Sequence, residues 1–379
     1  MNGGMNASDP LTPLRQLAAG AELHARETHR LNLGVDDVHQ VDRILQAEAA
    51  NLTPERREPL AACYGAWLGW LALQRWNARW IGLSEAAPPR VQVAGLVFSP
   101  MDAVRRRLQD PQSPSLPELL QKIDSWSREQ AGARDRAPGR NKAAWDALAA
   151  DPRFAGPVEL PPDRDAACAA LDEWLREVDL VGRKLLCLGA GGGRQGPLHA
   201  LAGADVTVVD VSERQLDHDR KAGLKTRCAS MDRLDGLGDA SFDIVVQPVS
   251  ACYVADLDRV HAEVARVLRP GGLYIVQHKQ PGSLQSSPDD AGGAFRILQP
   301  YAEGGALPEP GPGVPHRESG TVEFIHTLDA LLGGLCRAGF VIEDVAEPPR
   351  GDVAAAPGDP AHRALYLPPY LKVKARRRQ

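Results

Sequence analysis

The stretch from Leu186 to Gly196, LCLGAGGGRQG, decides the fold of the larger part of this chain. It joins an apolar run, typical of a buried strand, to a glycine-rich turn and the start of a helix. Glycines in such a turn let the backbone approach a ligand closely, and the N–H groups of the following helix can bind it. The loop fits G-x-G-x-x-G from Gly191, the dinucleotide fingerprint, and also G-x-G-x-G from Gly189. The loop alone therefore leaves the nucleotide open.

Strand and helix patterns alternate after the loop. The strand patterns are KLLCLGA, ADVTVVDVS, TRCASMD, SFDIVVQPVS, LYIVQHK, GFVIEDVAE and YLKVKAR. This alternation predicts an α/β fold with a doubly wound, mostly parallel seven-stranded sheet, in which ligands bind beyond the carboxyl ends of the strands. The Gly- and Pro-rich residues 281–320 are interpreted as a lid-like insertion, with a disordered loop as the alternative.

The remaining residues predict a smaller N-terminal domain. We expect a partly helical extension over 1–33, an α+β accessory domain over 34–126, a polar linker over 127–140 and the α/β domain over 141–379. The pattern YGAWLGW…NARWIGL…FSPMDAVRRRL loosely resembles a small bacterial domain of unknown function. This resemblance implies no activity.

Composition excludes several classes of protein. The chain has 379 residues, a net charge of −5 and 25% charged residues, which gives no general argument for nucleic-acid or membrane partners. An aromatic content of 5% is too low for base-stacking platforms. The six cysteines form no C-x-x-C pair, which argues against a zinc site or disulfide framework. With no signal-peptide pattern, we expect a cytoplasmic protein without a metal.

Further elements after the loop restrict the nucleotide. Asp210 ends the second strand pattern, about twenty residues after the loop, where a carboxylate can accept both ribose hydroxyls. Met231 and Asp232 follow the third strand pattern, where an apolar side chain can face an adenine ring and a carboxylate can accept its exocyclic amine. An NAD enzyme would share the loop and Asp210, so these two elements do not discriminate between the cofactors.

Taken together, the loop, Asp210, SMD, FDIVVQPVS and RVLRPGG resemble the class I S-adenosylmethionine-dependent methyltransferases over residues 141–378. More closely, NKAAWDAL, the GGGRQG loop, SERQLDHD and EFIHTLDALLGG resemble one bacterial subfamily with a Gly-Gly-Gly-x-Gln-Gly loop, a Gln-Leu-x-x-Asp turn and a His-Thr-Leu segment. The resemblance implies a Rossmann-like methyltransferase fold, with S-adenosylmethionine as cofactor and S-adenosylhomocysteine as product. No dehydrogenase substrate domain follows, which disfavours NAD.

The resemblance also implies a set of cofactor-binding residues. Asp210 has the alternative role of a helix cap, and Gln215 either reaches the ribose or covers the first helix. Cys187 stands where the broad class carries an acid, and we expect it to be a small buried strand residue, with Gln195 and Gln247 as polar replacements for the acid. The full predicted set is Gly189, Ala190, Gly191, Gln195, Asp210, Val211, Gln215, Met231, Asp232, Gln247 and Pro248.

The predicted reaction is in-line transfer of the methyl group to an O, N or S nucleophile, most simply of a small molecule. His278, after the fifth strand, is the candidate general base, and Tyr253 is a supporting donor. A hydrogen-bonded histidine at a strand end and an amphipathic surface tyrosine are the alternative roles. Ser250, Trp145 and His326 are further candidates for the pocket.

Three alternatives stay open at this point. The acceptor could be a protein, with the N-terminal domain as its docking module. The N-terminal domain could carry the acceptor specificity. The chain could also be a binding or regulatory protein that senses S-adenosylmethionine without turnover.

Overall fold

The computed structural model describes residues 9–83, 88–156, 159–288, 295–310, 317–357 and 359–379. Backbone contacts divide the chain into two compact units between Gly132 and Ala133. None of the helices in the described ranges combines the length and the apolar character needed to cross a bilayer.

The N-terminal unit consists of helices and one small sheet. The helices are α1 (Thr12–His29), α2 (Val38–Ala49), α3 (Pro54–Arg75), α4 (Pro100–Gln109) and the start of α5 (Leu116–Leu148). The strands β1 (Ala78–Ile81), β2 (Arg90–Val93) and β3 (Leu96–Phe98) pair antiparallel in that order. Helix α1, predicted to be an extension, buries Ala18, Ala21 and Ala25 in the same apolar core as α3.

The segment RVQVAGLVF forms a hairpin of β2 and β3. Ala94 and Gly95 both have positive φ, at 48° and 84°, which is the backbone of a two-residue type I′ turn. Alanine is uncommon in this conformation, so the sequence carries only a weak turn signal.

Residues 127–140, predicted to be a linker, are helical and belong to α5. Their Ala, Arg, Gln and Glu residues are strong helix formers, which the polar composition concealed. Ala133 and Ala137, one turn apart, belong to the C-terminal unit and are buried there against Val322 and Phe324 of the same unit. The division between Gly132 and Ala133 falls inside the segment where the domain boundary was predicted.

The C-terminal unit is built on a seven-stranded sheet of order β13-β14-β8-β7-β4-β5-β6. Only β14 is antiparallel to its neighbours, so the predicted doubly wound, mostly parallel sheet is confirmed. The strands of this unit are β4 (Lys184–Leu188), β5 (Asp205–Asp210), β6 (Lys225–Cys228), β7 (Phe242–Gln247), β8 (Leu268–Lys279), β9 (Ser286–Pro288), β10 (Phe295–Ile297), β11 (Gly305–Ala306), β12 (Phe324–Ile325), β13 (Phe340–Ala346) and β14 (Tyr370–Arg377).

Helices flank this sheet. They are α6 (Arg164–Ala169), α7 (Glu173–Arg176), α8 (Gln195–Leu201), α9 (Glu213–Lys221), α10 (Leu257–Val267), α11 (Pro281–Gln285), α12 (Gly334–Arg337) and α13 (Pro360–Arg363), with a 3-10 turn at Ala251–Tyr253 and a π-helical turn at Asp329–Gly333. The residues of β4 alternate between two apolar cores, Leu186 and Leu188 on one face and Leu185 and Cys187 on the other. Because a strand that is buried on both faces has apolar side chains at consecutive positions, it appears in the sequence as a continuous apolar run.

The chain leaves β4 on one side towards β5 and later pairs β7 on the other side. The strand order therefore reverses at β4, and the loops that leave the carboxyl ends of β4 and β7 part there, which opens a crevice. The predicted lid-like insertion comprises residues 281–320. Residues 289–294 and 311–316 of this insertion lie outside the described residues. Its function as a lid stays a prediction.

Candidate active site

A cavity of about 790 Å³ lies at the carboxyl ends of the central strands. Five segments line it: residues 134–154, 189–195, 210–211, 227–235 and 248–259. Pockets for small molecules commonly have volumes of about 300–1,000 Å³. The predicted cofactor residues that line it are Gly189, Ala190, Gly191, Gln195, Asp210, Val211, Met231, Asp232 and Pro248.

The carboxylate of Asp210 is held at the wall of this cavity by two backbone donors. Gly191 N–H donates to Oδ2 at 3.0 Å and Ser212 N–H to Oδ1 at 2.9 Å. Each carboxylate oxygen keeps a further lone pair for a ligand hydroxyl. Burial raises the pKa of Asp210, while the two N–H groups oppose this shift. The N-cap of α9 is Ser212, whose Oγ accepts from Gln215 N–H at 3.2 Å, so Asp210 is not the cap.

Asp219 is a site residue that the sequence reasoning missed. Its carboxylate is 1% exposed and accepts from the N–H of Gly192 in the glycine loop at 2.8 Å. Asp219 is the last residue of the Gln-Leu-x-x-Asp turn, so the sequence showed the motif. It did not show that the carboxylate binds the Gly192 N–H. Gln215, also 1% exposed, is not among the residues that line the cavity. Its Oε1 packs so closely against Gly192 that a Cβ built there would collide with it. Gln215 thus packs against the glycine loop and does not reach into the cavity.

Stability should depend on the pH through Asp219. Burial raises its pKa from 3.8 to about 6. The folded chain therefore holds this proton more tightly than the unfolded chain, and the stability this provides at low pH is lost as the pH rises through about 6. Relative to Asp219→Asn, which keeps an acceptor for Gly192, the wild-type chain should lose about 1.4 kcal/mol between pH 5 and pH 7.5.

Urea unfolding of both chains at the two pH values measures this loss. Asp217→Asn, which removes an exposed carboxylate from the same helix, is the control. A free-energy difference between wild type and Asp219→Asn that stays constant with pH would contradict the assignment.

Gln247 is buried behind the cavity wall rather than in it. Its Nε2 donates to Ser250 Oγ at 3.1 Å and lies 3.2 Å from Met231 Sδ, and its Oε1 accepts from the Tyr274 hydroxyl. At 1% exposure its amide has no free face for a ligand. Gln247 therefore positions Ser250 and Met231, two residues that do line the cavity.

Tyr253 lines the cavity, and its hydroxyl is already engaged. It donates to Glu318 Oε2 at 2.5 Å, and Lys279 Nζ lies 2.6 Å from the same carboxylate. Burial raises the pKa of Tyr253 well above its ordinary value, and neighbouring negative charges add to the shift. Tyr253 therefore stays protonated and is a fixed hydrogen-bond donor.

The aromatic wall around Tyr253 is held by α5. Trp145 meets Tyr253 edge-on with ring centroids 5.4 Å apart, and it also meets Phe154 edge-on with ring centroids 5.8 Å apart. The side-chain amide of Asn141, buried at 4% exposure, donates to the carbonyl of Tyr253 at 2.9 Å and to that of Val322 at 3.0 Å. Phe154 was missed because it follows the helix in a segment without a recognisable motif.

His278 does not face the acceptor space, contrary to its predicted role. It is 3% exposed and is not among the residues that line the cavity. It shares a face of β8 with Tyr274 and Val276, because strand residues two apart point the same way. Burial lowers the pKa of His278 well below its ordinary value, and His261 and His326 lower it further. His278 is therefore a neutral core residue and has no access to a substrate proton.

His326 also lies outside the cavity lining. Its Nδ1 pairs with Glu303 at 2.7 Å, and its Nε2 lies 2.9 Å from the carbonyl oxygen of Val254 and 3.2 Å from that of Ala251. It thus joins the His-Thr-Leu segment to the turn after β7. Sequence reasoning also missed a rim of exposed arginines, since these come from separate segments. They are Arg134, Arg153, Arg194, Arg227, Arg233 and Arg259.

The donor set suits an adenosyl group that carries a charged amino-acid arm. The cavity wall offers one fixed carboxylate at Asp210, the apolar side chain of Met231 next to Asp232, and the backbone of a loop in which Gly189 has φ of +60°. A Cβ at Gly189 would lie 2.6 Å from Ser250 Oγ, so the loop backbone packs closely against Ser250.

Comparison with known proteins agrees with this site. A family profile described as a methyltransferase domain matches residues 186–276. The chain is 35% identical over 183 residues to the "Uncharacterized methyltransferase YbaJ" of Bacillus subtilis (strain 168), which covers 46% of this chain and 72% of that protein. It is 34% identical over 127 residues to a ubiquinone biosynthesis O-methyltransferase of Sinorhizobium fredii, covering 32% of this chain and 51% of that relative. The chain thus spans only about half of the second relative.

Among solved structures, an S-adenosylmethionine dependent methyltransferase from Mesorhizobium loti is 27% identical. It covers 55% of this chain and 100% of its own, with a TM-score of 0.44. With a relative matched over 72% of its length and a domain profile that begins in β4, just before the glycine loop, the chain belongs to the S-adenosylmethionine-dependent methyltransferases.

Proposed function

We propose that this enzyme methylates an O, N or S nucleophile of a small molecule that binds in the same cavity as the cofactor. The observation that carries the proposal is the composition of the cavity wall. One side is the glycine loop with Asp210, and another is the aromatic group of Trp145, Phe154 and Tyr253. A concave, partly aromatic space of about 790 Å³ fits a small acceptor better than a protein surface.

S-adenosylmethionine supplies a methyl group on a positively charged sulfur. In this proposal Asp210 accepts hydrogen bonds from the ribose hydroxyls, and Met231 and Asp232 bind the adenine. The aromatic group orients the acceptor and keeps water out. Positioning of this kind accounts for roughly 7–11 kcal/mol of a barrier when the reacting atoms are well aligned.

The proton of the acceptor has no histidine to receive it among the described lining residues. We therefore propose that the nucleophile either enters deprotonated or attacks through a neutral lone pair and then releases its proton to water. The Sinorhizobium relative is named for O-methylation in ubiquinone biosynthesis, and this supports a small acceptor without identifying it.

The test uses a cell extract divided by ultrafiltration into small molecules and macromolecules. Each fraction is incubated with the full chain and methyl-labelled S-adenosylmethionine, and label and S-adenosylhomocysteine are measured. We expect transfer to the small-molecule fraction, and Trp145→Ala should reduce this transfer more than it reduces cofactor affinity. Label in macromolecules alone would make the acceptor a protein or nucleic acid. Cofactor binding without product in either fraction would favour the regulatory alternative.

A further inference from the structure

The N-terminal unit contains a cluster of possible metal ligands that methyl transfer does not use. His29 Nε2 lies 2.9 Å from Glu48 Oε1, and His24 Nε2 lies 3.8 Å from the same oxygen. One ligand atom from each of these residues lies within 4.8 Å of the other two. In the described part of the chain, no other group of three His, Cys, Asp or Glu residues meets this criterion.

Two helices bring the cluster together. His24 and His29 lie on α1, and Glu48 is in the last turn of α2. Residues five apart on a helix point about 140° away from each other, so a helical pattern does not predict that the two histidines meet. His29 is the last residue of α1, and the left-handed Arg30 ends the helix there, with φ of 56°. The two imidazole rings are 5.5 Å apart.

A second observation concerns the unused nitrogen of His24. Its Nδ1 is 3.0 Å from the hydroxyl of Tyr64, which is fully buried, whereas its Nε2 is buried with no hydrogen-bond partner. In the tautomer whose Nδ1–H donates to Tyr64, Nε2 presents a lone pair inside the cluster.

We propose that His24, His29 and Glu48 bind one Zn²⁺ ion, with a water molecule as the fourth ligand. Two imidazole nitrogens and one carboxylate oxygen form a donor set that zinc uses in proteins. Tyr64 fixes the tautomer and orientation of His24, which is the role of an outer-shell partner. The three ligand side chains are 16–21% exposed, so water and an entering ion can reach the site.

An ion pair between His29 and Glu48 alone does not account for the position of His24 as well as a shared metal ion does. It leaves the buried Nε2 of His24 without a partner, and a buried polar atom in that state costs stability. Cysteine spacing in the sequence does not indicate this site, because no cysteine takes part and Glu48 comes from another helix. The ion would tie α1 to α2 in the core of the N-terminal unit.

The test is calorimetric titration of the full chain with ZnCl₂ after removal of metal with EDTA. We expect one tight site per chain. His24→Ala and His29→Ala should each weaken it by at least about 100-fold, and Tyr64→Phe should weaken it by about tenfold. His39→Ala, which removes an exposed histidine of α2, is the matched control and should leave zinc affinity unchanged.

Folding of each variant is checked by circular dichroism. Co²⁺ provides a second readout on the wild-type chain, since imidazole and carboxylate ligation gives visible ligand-field bands without a thiolate charge-transfer band. The proposal is overturned if the folded wild-type chain binds no zinc, if the double variant His24→Ala/His29→Ala binds it equally well, or if the cobalt spectrum shows thiolate ligation.

Discussion

Replacing Asp210 with asparagine is expected to weaken S-adenosylmethionine binding by about 10²–10⁴-fold. Hydrogen bonds to a charged group contribute about 1.5–3 kcal/mol each, and we propose two of them, from the ribose hydroxyls. The amide keeps the size of the side chain but loses the charge. It also turns an NH₂ group towards either Gly191 N–H or Ser212 N–H, both of which now donate to the carboxylate.

Calorimetric titration with S-adenosylmethionine and S-adenosylhomocysteine measures this effect, and thermal unfolding shows whether the variant folds. Asp217→Asn removes an exposed carboxylate from the neighbouring helix and should bind both ligands as the wild-type chain does. If folded Asp210→Asn binds within about threefold of the wild-type chain, the ribose does not lie at Asp210, and the assignment of the cofactor residues is wrong.

The second large effect is expected for Gly189→Ala, with about 100-fold weaker cofactor binding and a lower melting temperature. Gly189 has φ of +60°, and an alanine held in that conformation costs about 1–3 kcal/mol. Its Cβ would lie 2.6 Å from Ser250 Oγ, 2.8 Å from Ser250 Cβ and 3.1 Å from Met231 Cε. Both neighbours line the cavity, so the steric adjustment moves the binding surface.

Gly193→Ala provides the contrast within the same loop. The nearest atom to a Cβ there is the carbonyl oxygen of Ala190 at 3.8 Å, an ordinary contact, and no left-handed backbone is involved. We expect its effect on binding to be about 1 kcal/mol or less. Adding Ser250→Gly to Gly189→Ala removes the collision with Ser250 but not the backbone strain, and should recover part of the affinity. Equal losses in Gly189→Ala and Gly193→Ala would contradict the close-approach argument.

The sheet and the position of Asp210 could be predicted from sequence because both depend on local patterns. Each central strand is an apolar run between turn residues, and consecutive parallel strands place their carboxyl ends at one edge. Asp210 at the end of β5 must therefore lie near the glycine loop that follows β4. Gly189 carries a similar local signal, since its left-handed conformation favours glycine.

The face of the sheet on which a polar side chain near a strand end lies could not be predicted in this way. Gln247 ends β7 and His278 is the last residue but one of β8, yet both are buried and neither lines the cavity. A shift of one residue in a strand moves a side chain to the other face, and a single sequence does not determine that register. The helix over residues 127–140 was missed for another reason: its apolar contacts are two alanines, too few to produce a visible period.

The sequence by itself determined the α/β sheet, the glycine loop and the strand-end carboxylate, because alternation, glycine conformation and strand-end residues are properties of short segments. The cofactor class rested on the resemblance of several such motifs, taken together, to the class I methyltransferases. Only the tertiary structure decided that Asp219 holds Gly192, that Phe154 completes the aromatic group, and that His24 meets Glu48. These contacts join separate elements of the chain, and their geometry follows from how those elements pack. Local sequence patterns do not determine that packing, so these contacts can be known only from the tertiary structure.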